Sequence, residues 1–360
     1  MKITKVVAVC AAVGVAVAGI AFAAPAYADP VSNSYSLVGS DTLQDAANAL
    51  ANGTTVTGAS VRVTAAGNTI GSFDAFGSDA IQTKGSGTYF ARPAGSGDGV
   101  KALSRSIDGA NFSVSGNSTP ARAITGLVDI ARSSSGPGAA ANTSGVLQYF
   151  QFGRDALSYA YNGTGIDQLT KAQLTAIYNC SLTTVNGTAV TPVLPQAASG
   201  TRKFFLSAIG ITTPGSCVVQ RGDAENDGTV LVNAGELIPF SVASWVAQSN
   251  GAAQDRTGTA RLGSAEGSVV PFTGADGSFV PNPTYYADTT FGRDTYVVVE
   301  AARVNPSSPK YDPALASLVD PTKSKSLTNF GSGPSTSGAV KTKFGFLAPS
   351  TTVSIRANAS

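Results

Sequence analysis

The feature that most constrains this chain is its opening stretch. Two lysines, Lys2 and Lys5, precede an uncharged apolar run from Val6 to Ala24, and Ala26-Tyr27-Ala28 stands just before Asp29. A basic start, an apolar middle and a small-x-small step form the grammar of a cleavable secretory signal. The run is mostly Ala, Gly and Val, which suits a signal better than a retained membrane anchor. Cys10 lies behind Val9 near the start of that run, not at a lipidation site, so no lipid anchor is expected. Cleavage after Ala28 removes 28 of the 360 residues and leaves 332, which must fold outside the cytoplasm.

A chain of that length exceeds what one hydrophobic core usually organises, so two domains are expected. The leader holds two lysines and no acid, so 24 basic and 22 acidic side chains become 22 and 22 in the exported part. Balanced charge without basic runs excludes nucleic acid and anionic membrane as main partners, since both need clustered Lys and Arg. There is no histidine. Imidazole bases, Ser-His-Asp triads and His-ligated metals are thereby excluded, and no metal or cofactor is expected. Cys180 and Cys217 form an even pair in an exported chain, which predicts a disulfide; the alternative is two buried thiols.

Strand signals recur at Tyr35–Val38, Val61–Thr64, Ala156–Tyr161, Val190–Leu194 and Tyr296–Ala301, several followed by helical patterns, which predicts an α/β fold. The clearest helix runs from Leu43 to Leu50, with apolar residues at offsets 0, 3, 4 and 7 and Ser40 or Asp41 as N-cap. Another starts near Thr170 and carries Leu174, Ile177 and Tyr178. Gly136–Gly145 and Gly331–Gly338 read as loops or linkers. Phe152-Gly153-Arg154-Asp155 and Phe291-Gly292-Arg293-Asp294 repeat the same four residues. They are either ordinary turns or the places where two strands cross between lobes beside a cleft.

Four segments run into Ser, Thr and Gly just ahead of a helix pattern: Gly39–Thr42, Gly95–Gly99, Arg132–Gly136 and Ser199–Arg202. Each would offer hydroxyls and unpaired backbone N–H groups at the positive end of a helix, which suits an oxyanion; singly, each is also an ordinary cap. Asp223–Gly228 has the spacing of acids found in a calcium loop, but Ala234 stands where such a loop needs a bidentate Glu, so it reads as a solvated turn.

In combination these segments resemble the phosphate-binding protein of ABC transporters, within the type II periplasmic binding protein superfamily. The matching stretches are Val38-Gly39-Ser40-Asp41-Thr42, Gly95-Ser96-Gly97-Asp98-Gly99-Val100-Lys101, Val128–Ser134, Leu169–Tyr178, Gln196–Thr201 and Ile238–Ala243, in family order across most of the exported chain. The resemblance implies two α/β lobes joined by two crossover strands, with an interlobe cleft. The first lobe would comprise residues 29–149 and return at 291–360, and the second would span 150–290.

The resemblance also implies capture rather than catalysis. The expected ligand is inorganic phosphate or a related oxyanion, held by a monomer that delivers it to an ABC transporter permease. It places Thr42 with the Leu43 amide, Ser96, and Ser199 with Gly200 and Thr201 on the phosphate. The family's aspartate that accepts the ligand's proton falls at Ser134, and its arginine ahead of Ser-Gly-Thr falls at Pro195. Arg132 is then the expected principal cation, with Arg154 and Arg202 as alternatives. Ser40, Ser133 and Ser134 line the same loops, and Asp41 is the candidate proton acceptor. About half a dozen charge-assisted bonds of roughly 1.5–3 kcal/mol each could support micromolar binding without a full cage. Two rivals remain open: a surface protein of this fold uncoupled from a transporter, and a phosphomonoesterase built on the same cleft.

Overall fold

The computed structural model describes residues 29–30 and 33–360. The expected leader, its cleavage step and Cys10 lie outside the described residues. Among those described, no helix is long and apolar enough to cross a membrane.

A nine-stranded mixed sheet runs through the molecule. Its strands are β1 (Tyr35–Gly39), β2 (Ile70–Ser72), β3 (Ile130–Ser133), β4 (Leu147–Tyr161), β5 (Thr191–Pro192), β6 (Glu236–Ser241), β7 (Arg261–Leu262), β8 (Gly292–Glu300) and β9 (Ile355–Ala357). The order is β5-β6-β4-β8-β3-β1-β2, with β7 and β9 also pairing with β4. β1 is parallel to β2 and β3, and β5 is parallel to β6, whereas β4 and β8 are antiparallel to their neighbours.

β4 carries the architecture. At 15 residues it is about 50 Å long at ~3.3 Å per residue. Its first part, Leu147–Ala156, pairs with β8, and its last part, Leu157–Tyr161, pairs with β6. One strand thus belongs to two sheet regions, and β8 runs beside it. The fold is the two-lobed type II periplasmic-binding-protein architecture, with β4 and β8 as the crossover strands.

Alternation explains why both faces are covered. Leu37, Ile130, Val297 and Val299 enter one apolar cluster, and Val38, Ala131, Tyr296 and Val298 enter another on the opposite face. In the other sheet region, Leu157, Tyr159 and Leu237 pack on one side and Ala160, Ile238 and Phe240 on the other. The near-continuous apolar runs of these strands follow from burial on both faces.

The helices that frame the cleft are α1 (Gln44–Asn52), α2 (Ser96–Asp108), α3 (Lys171–Tyr178), α4 (Gly200–Ala208) and α5 (Val242–Ser249). α3 is closed by a capping box in which Thr170 and Gln173 satisfy each other's amides. α1 begins later than its apolar pattern suggests: Leu43 is the N-cap, without a side-chain cap bond, while Asp41 and Thr42 make side-chain contacts elsewhere. Val61–Thr64 is not a strand; Val61 makes an isolated bridge to Thr54 while its side chain joins the core. The segment 331–338 is no free linker either. Ser337 and Gly338 open the helix Ser337–Lys343 and are buried, with Gly338 lying against Phe330.

Cys180 and Cys217 are joined, with Cα atoms 5.9 Å apart and 37 residues of separation. The bridge ties the end of α3 to the chain beyond α4, enclosing Ser199–Thr201. A loop of that length corresponds to about 3–4 kcal/mol in the chain-entropy picture. Reduction should therefore lower unfolding stability by that amount, read as a shift of the urea midpoint with and without reductant; an unchanged midpoint would refute a bracing role.

Candidate functional site

The two repeated tetrapeptides are neither turns nor independent. They face each other across β4 and β8, with Arg293 opposite Asp155 and Asp294 opposite Arg154. Each arginine pairs with the aspartate of the other copy, at 2.8 Å for Arg293–Asp155 and 3.3 Å for Arg154–Asp294. Strand alternation sends the two pairs to opposite faces. Arg154 turns to Tyr286 O and Asp288 O, away from the cleft. Arg293 and Asp155 are almost wholly buried.

Around that pair the ends of several elements converge. Asp155 Oδ1 accepts from Ser241 Oγ and the Ala243 amide at the start of α5, and its Oδ2 accepts both Nε and Nη2 of Arg293. Arg293 Nη2 also donates to Thr201 Oγ1 at 3.0 Å, in the first turn of α4. Thr201 Oγ1 in turn lies 3.3 Å from Thr42 Oγ1. The start of α1 and the start of α4, on opposite sides of the cleft, therefore meet at two threonine hydroxyls.

The second junction is made by serines. Ser96 Oγ, at the first residue of α2, lies 3.1 Å from Ser134 Oγ and accepts the Ser134 amide at 3.0 Å. Gly200 abuts both hydroxyls, and any Cβ there would collide with Ser96 Oγ and Ser134 Oγ. Backbone bonds finish the closure: the Gly97 amide donates to Ala198 O, and Gln196 Nε2 donates to Ala94 O. The cleft is closed in this structure.

A carboxyl pair fills the third corner. Ser199, the N-cap of α4, donates to Glu225 Oε2 at 2.5 Å, and the Thr201 amide donates to the same oxygen at 3.1 Å. Asp41 lies within hydrogen-bonding reach of Glu225. Asn226 donates to Asp41 Oδ2 and to Thr42 Oγ1. Glu225 Oε1 and Asp41 Oδ1 have no partner of their own among the described residues. A single proton held between the two carboxyls gives both the donor they lack. Burial first, and then the Glu225 charge, hold the Asp41 carboxyl well above the usual carboxylate range.

The placement of the sequence candidates is mixed. Thr42, Ser96, Ser134, Ser199, Gly200, Thr201 and Asp41 come together. Leu43 caps α1 and sends its side chain into the core. Ser40 is buried; its carbonyl accepts from Arg132, and its hydroxyl has no partner among the described residues. Ser133 donates to Ser135 O. Arg202 reaches Pro195 O and Gln220 on the rim, in a cavity of about 590 Å³ that Asp98 and Gln196 also line.

Arg132, expected to face a ligand, turns its guanidinium into the protein. It donates to Ser40 O at 2.8 Å, Ser72 Oγ at 2.8 Å, Gly39 O at 3.2 Å and Phe73 O at 2.7 Å. Full burial pushes its pKa down to about 10. It binds the β1–α1 turn to β2 and β3 instead of lining the cleft.

The residues missed in the sequence are Arg293, Asp155, Glu225 and Asn226. Arg293 stood in the repeated tetrapeptide. Glu225 and Asn226 stood in the acidic run expected to be a solvated turn, yet both are buried. One further atom stands out: Arg293 Nη1 is buried beside Thr201 and has no acceptor among the described residues.

No family model matches the sequence, and no curated protein does. Solved structures do share the fold. An ABC-type phosphate transport receptor from Vibrio cholerae is 16% identical over 88% of this chain and 100% of that one, with a TM-score of 0.51. A high-affinity periplasmic phosphate-binding protein bound with phosphate is 15% identical over 88% and 90%, with a TM-score of 0.49. A phosphate-binding protein from Stenotrophomonas maltophilia is 14% identical over 75% and 79%, with a TM-score of 0.41. The first of these shares this two-lobed fold.

Two outcomes follow from this geometry. Arg132→Ala leaves three carbonyls and a serine without donors in the core and should cost about 3–5 kcal/mol of folding stability, the scale for opening a buried charged network. A loss under 1 kcal/mol in urea unfolding would contradict its structural role. Asp41 has a folded pKa raised above its ordinary value of 3.8, so folding takes up a proton. The protein should therefore lose stability as pH rises above that value towards the folded pKa. Asp41→Asn supplies a permanent donor and should abolish that loss, so its advantage over wild type should grow from pH 4 to pH 8; parallel stability profiles would refute the shared proton.

Proposed function

We propose that the exported chain captures phosphate or a related tetrahedral oxyanion in the interlobe cleft and releases it when the lobes part, delivering it to an ABC-type transporter. Arg293 is the principal cation of this reading, in place of Arg132. Thr42, Thr201, Ser96, Ser134 and Ser199 supply hydroxyls, and the first amides of α4 supply backbone donors. The observation that carries the reading is Arg293 Nη1, a fully buried guanidinium nitrogen with no acceptor among the described residues, beside the threonine that opens α4. A buried charged donor left unpaired costs several kcal/mol, so an acceptor arriving there has a large gain to make.

Three further facts support it. The fold is shared with the phosphate transport receptor above. The disulfide suits a protein that works outside the cytoplasm. Hydroxyls from both sides of the cleft already point at one another, so a ligand that replaced their mutual contacts would be gripped by both lobes, as hinge closure requires. In this reading residues 29–149 and 291–360 form one lobe and 150–290 the other.

Calorimetry on the exported chain, titrated with phosphate and with sulfate at one ionic strength, tests the function. Arg293→Lys keeps a charge for Asp155 but removes the fork, and should weaken binding by about 1.4 kcal/mol or more, read as at least a tenfold loss. The absence of heat or thermal stabilisation with every tetrahedral oxyanion would overturn the reading. Turnover of a generic phosphate ester would replace capture by hydrolysis.

A further inference from the structure

Glu225 sits where a bound anion would be expected. Its Oε2 receives Ser199 Oγ and the Thr201 amide at the N-terminus of the nine-residue helix α4, and the Asp41 carboxyl lies against it. Hydroxyl, helix-terminal amide and acid proton are the donors that an oxyanion would seek.

The placement is built into the fold. The neighbouring Asn226 adopts φ of 58°, in the left-handed region that Asn tolerates better than most residues. From there its side chain donates to Asp41 and Thr42 and accepts the Ser241 amide at 2.9 Å, and its carbonyl accepts Gln248 Nε2 at 2.9 Å. Four bonds thus hold the residue beside Glu225 against the start of α1 and both ends of α5, and the carboxylate is delivered to the cradle with little freedom.

We propose that Glu225 is a tethered competitor for the cleft: its carboxylate occupies the seat at the start of α4, and an oxyanion enters only when Glu225 withdraws. The inference rests on the oxyanion-binding reading and names the residue that would set that site's selectivity. Two anions cannot share one small desolvated cradle, since like charges in contact there cost several kcal/mol. Arg293 Nη1, buried and without an acceptor among the described residues, is what an oxyanion exchanged for the carboxylate would satisfy.

The charged groups around the carboxyl pair come from every side. Asp41 belongs to the β1–α1 turn, Arg293 to β8, Asp155 to β4 and Arg132 to β3, while Arg256 follows α5 and acts on Asp41 with the opposite sign to Glu225. Asp45 of α1 and Asp74 lie nearer Arg132 and Arg256. Arg293 is already neutralised by Asp155. An added dianion therefore meets the Glu225 carboxylate in a seat whose nearest guanidinium already has an acid partner.

Sulfate is the decisive probe, because it keeps one charge state between pH 6 and pH 8 and any pH dependence then belongs to the protein. Wild-type, Glu225→Gln and Glu225→Ala exported chains, each confirmed as folded by thermal melting, would be titrated calorimetrically with sulfate and with phosphate at both pH values. Glu225→Gln should bind sulfate at least about tenfold more tightly than wild type at pH 8, the scale of one like-charge contact removed from a desolvated site. Glu225→Ala should tighten in the same direction, which carries the test should the Gln variant not fold. Equal or weaker binding by both variants, with wild type binding, would overturn the competitor and leave oxyanion capture standing. Silence from all three proteins with both anions would overturn capture and the competitor together.

Discussion

The bond between Arg293 and Asp155 is the contact on which the rest of the molecule turns. It joins the two crossover strands at the point where β4 leaves one sheet region for the other, and its remaining atoms reach the start of α5 and the start of α4. A buried ion pair contributes little net stability, because desolvation offsets most of the attraction unless every remaining lone pair and proton is bonded. Asp155 meets that condition, with two donors at each oxygen. Arg293 does not, since Nη1 lacks an acceptor among the described residues. The pair thus fixes where the lobes meet while leaving one donor uncommitted at the meeting point.

Such an arrangement separates two tasks that a single arginine would perform poorly together. Arg132 is wholly engaged by carbonyls and a serine hydroxyl and holds the β1–α1 turn in shape, so that Thr42 and Asp41 are presented to the cleft. Arg293 stands on the crossover strand and reaches across to α4. Since hinge motion alters contacts between lobes but not those within one, a cation on the crossover can be coupled to closure, whereas Arg132 would hold its turn in either state.

Most of the architecture was legible in the sequence, because period and order are local properties. β1, β5 and parts of β4 and β8 showed as apolar runs, α3 showed by its apolar spacing, and the order of the Ser, Thr and Gly segments pointed to two lobes. Helix-opening serines and threonines were legible for the same reason: Ser96, Ser199 and Thr201 open helices whichever way the chain packs. Charged partners were not. Arg132 and Arg293 each precede or follow small polar residues, and nothing local distinguishes a guanidinium buried on carbonyls from one facing a ligand. Only the antiparallel register of β4 and β8 shows that the repeated tetrapeptides are reciprocal partners. Glu225 was obscured by its surroundings, since Asp223, Asp227 and the nearby glycines give the stretch a solvated composition, whereas the left-handed Asn226 turns the chain inward.

The departures at Ser134 and Pro195 become intelligible once charges in the cleft are counted together. The family pattern puts an aspartate and an arginine there, and here neither position carries charge. The chain restores one cation through Arg293 and acidic groups through Asp41 and Glu225, but it brings them from other elements and pairs them before any ligand arrives. Asp155 answers Arg293, and Glu225 Oε2 receives Ser199 Oγ and the Thr201 amide. A closed cleft of this kind needs no external anion to satisfy most of its donors, unlike one lined by free donors alone, where closure without ligand would strand hydroxyls and amides away from water. In the proposed capture, ligand affinity is set by the difference between two anions in one seat rather than by the donors alone.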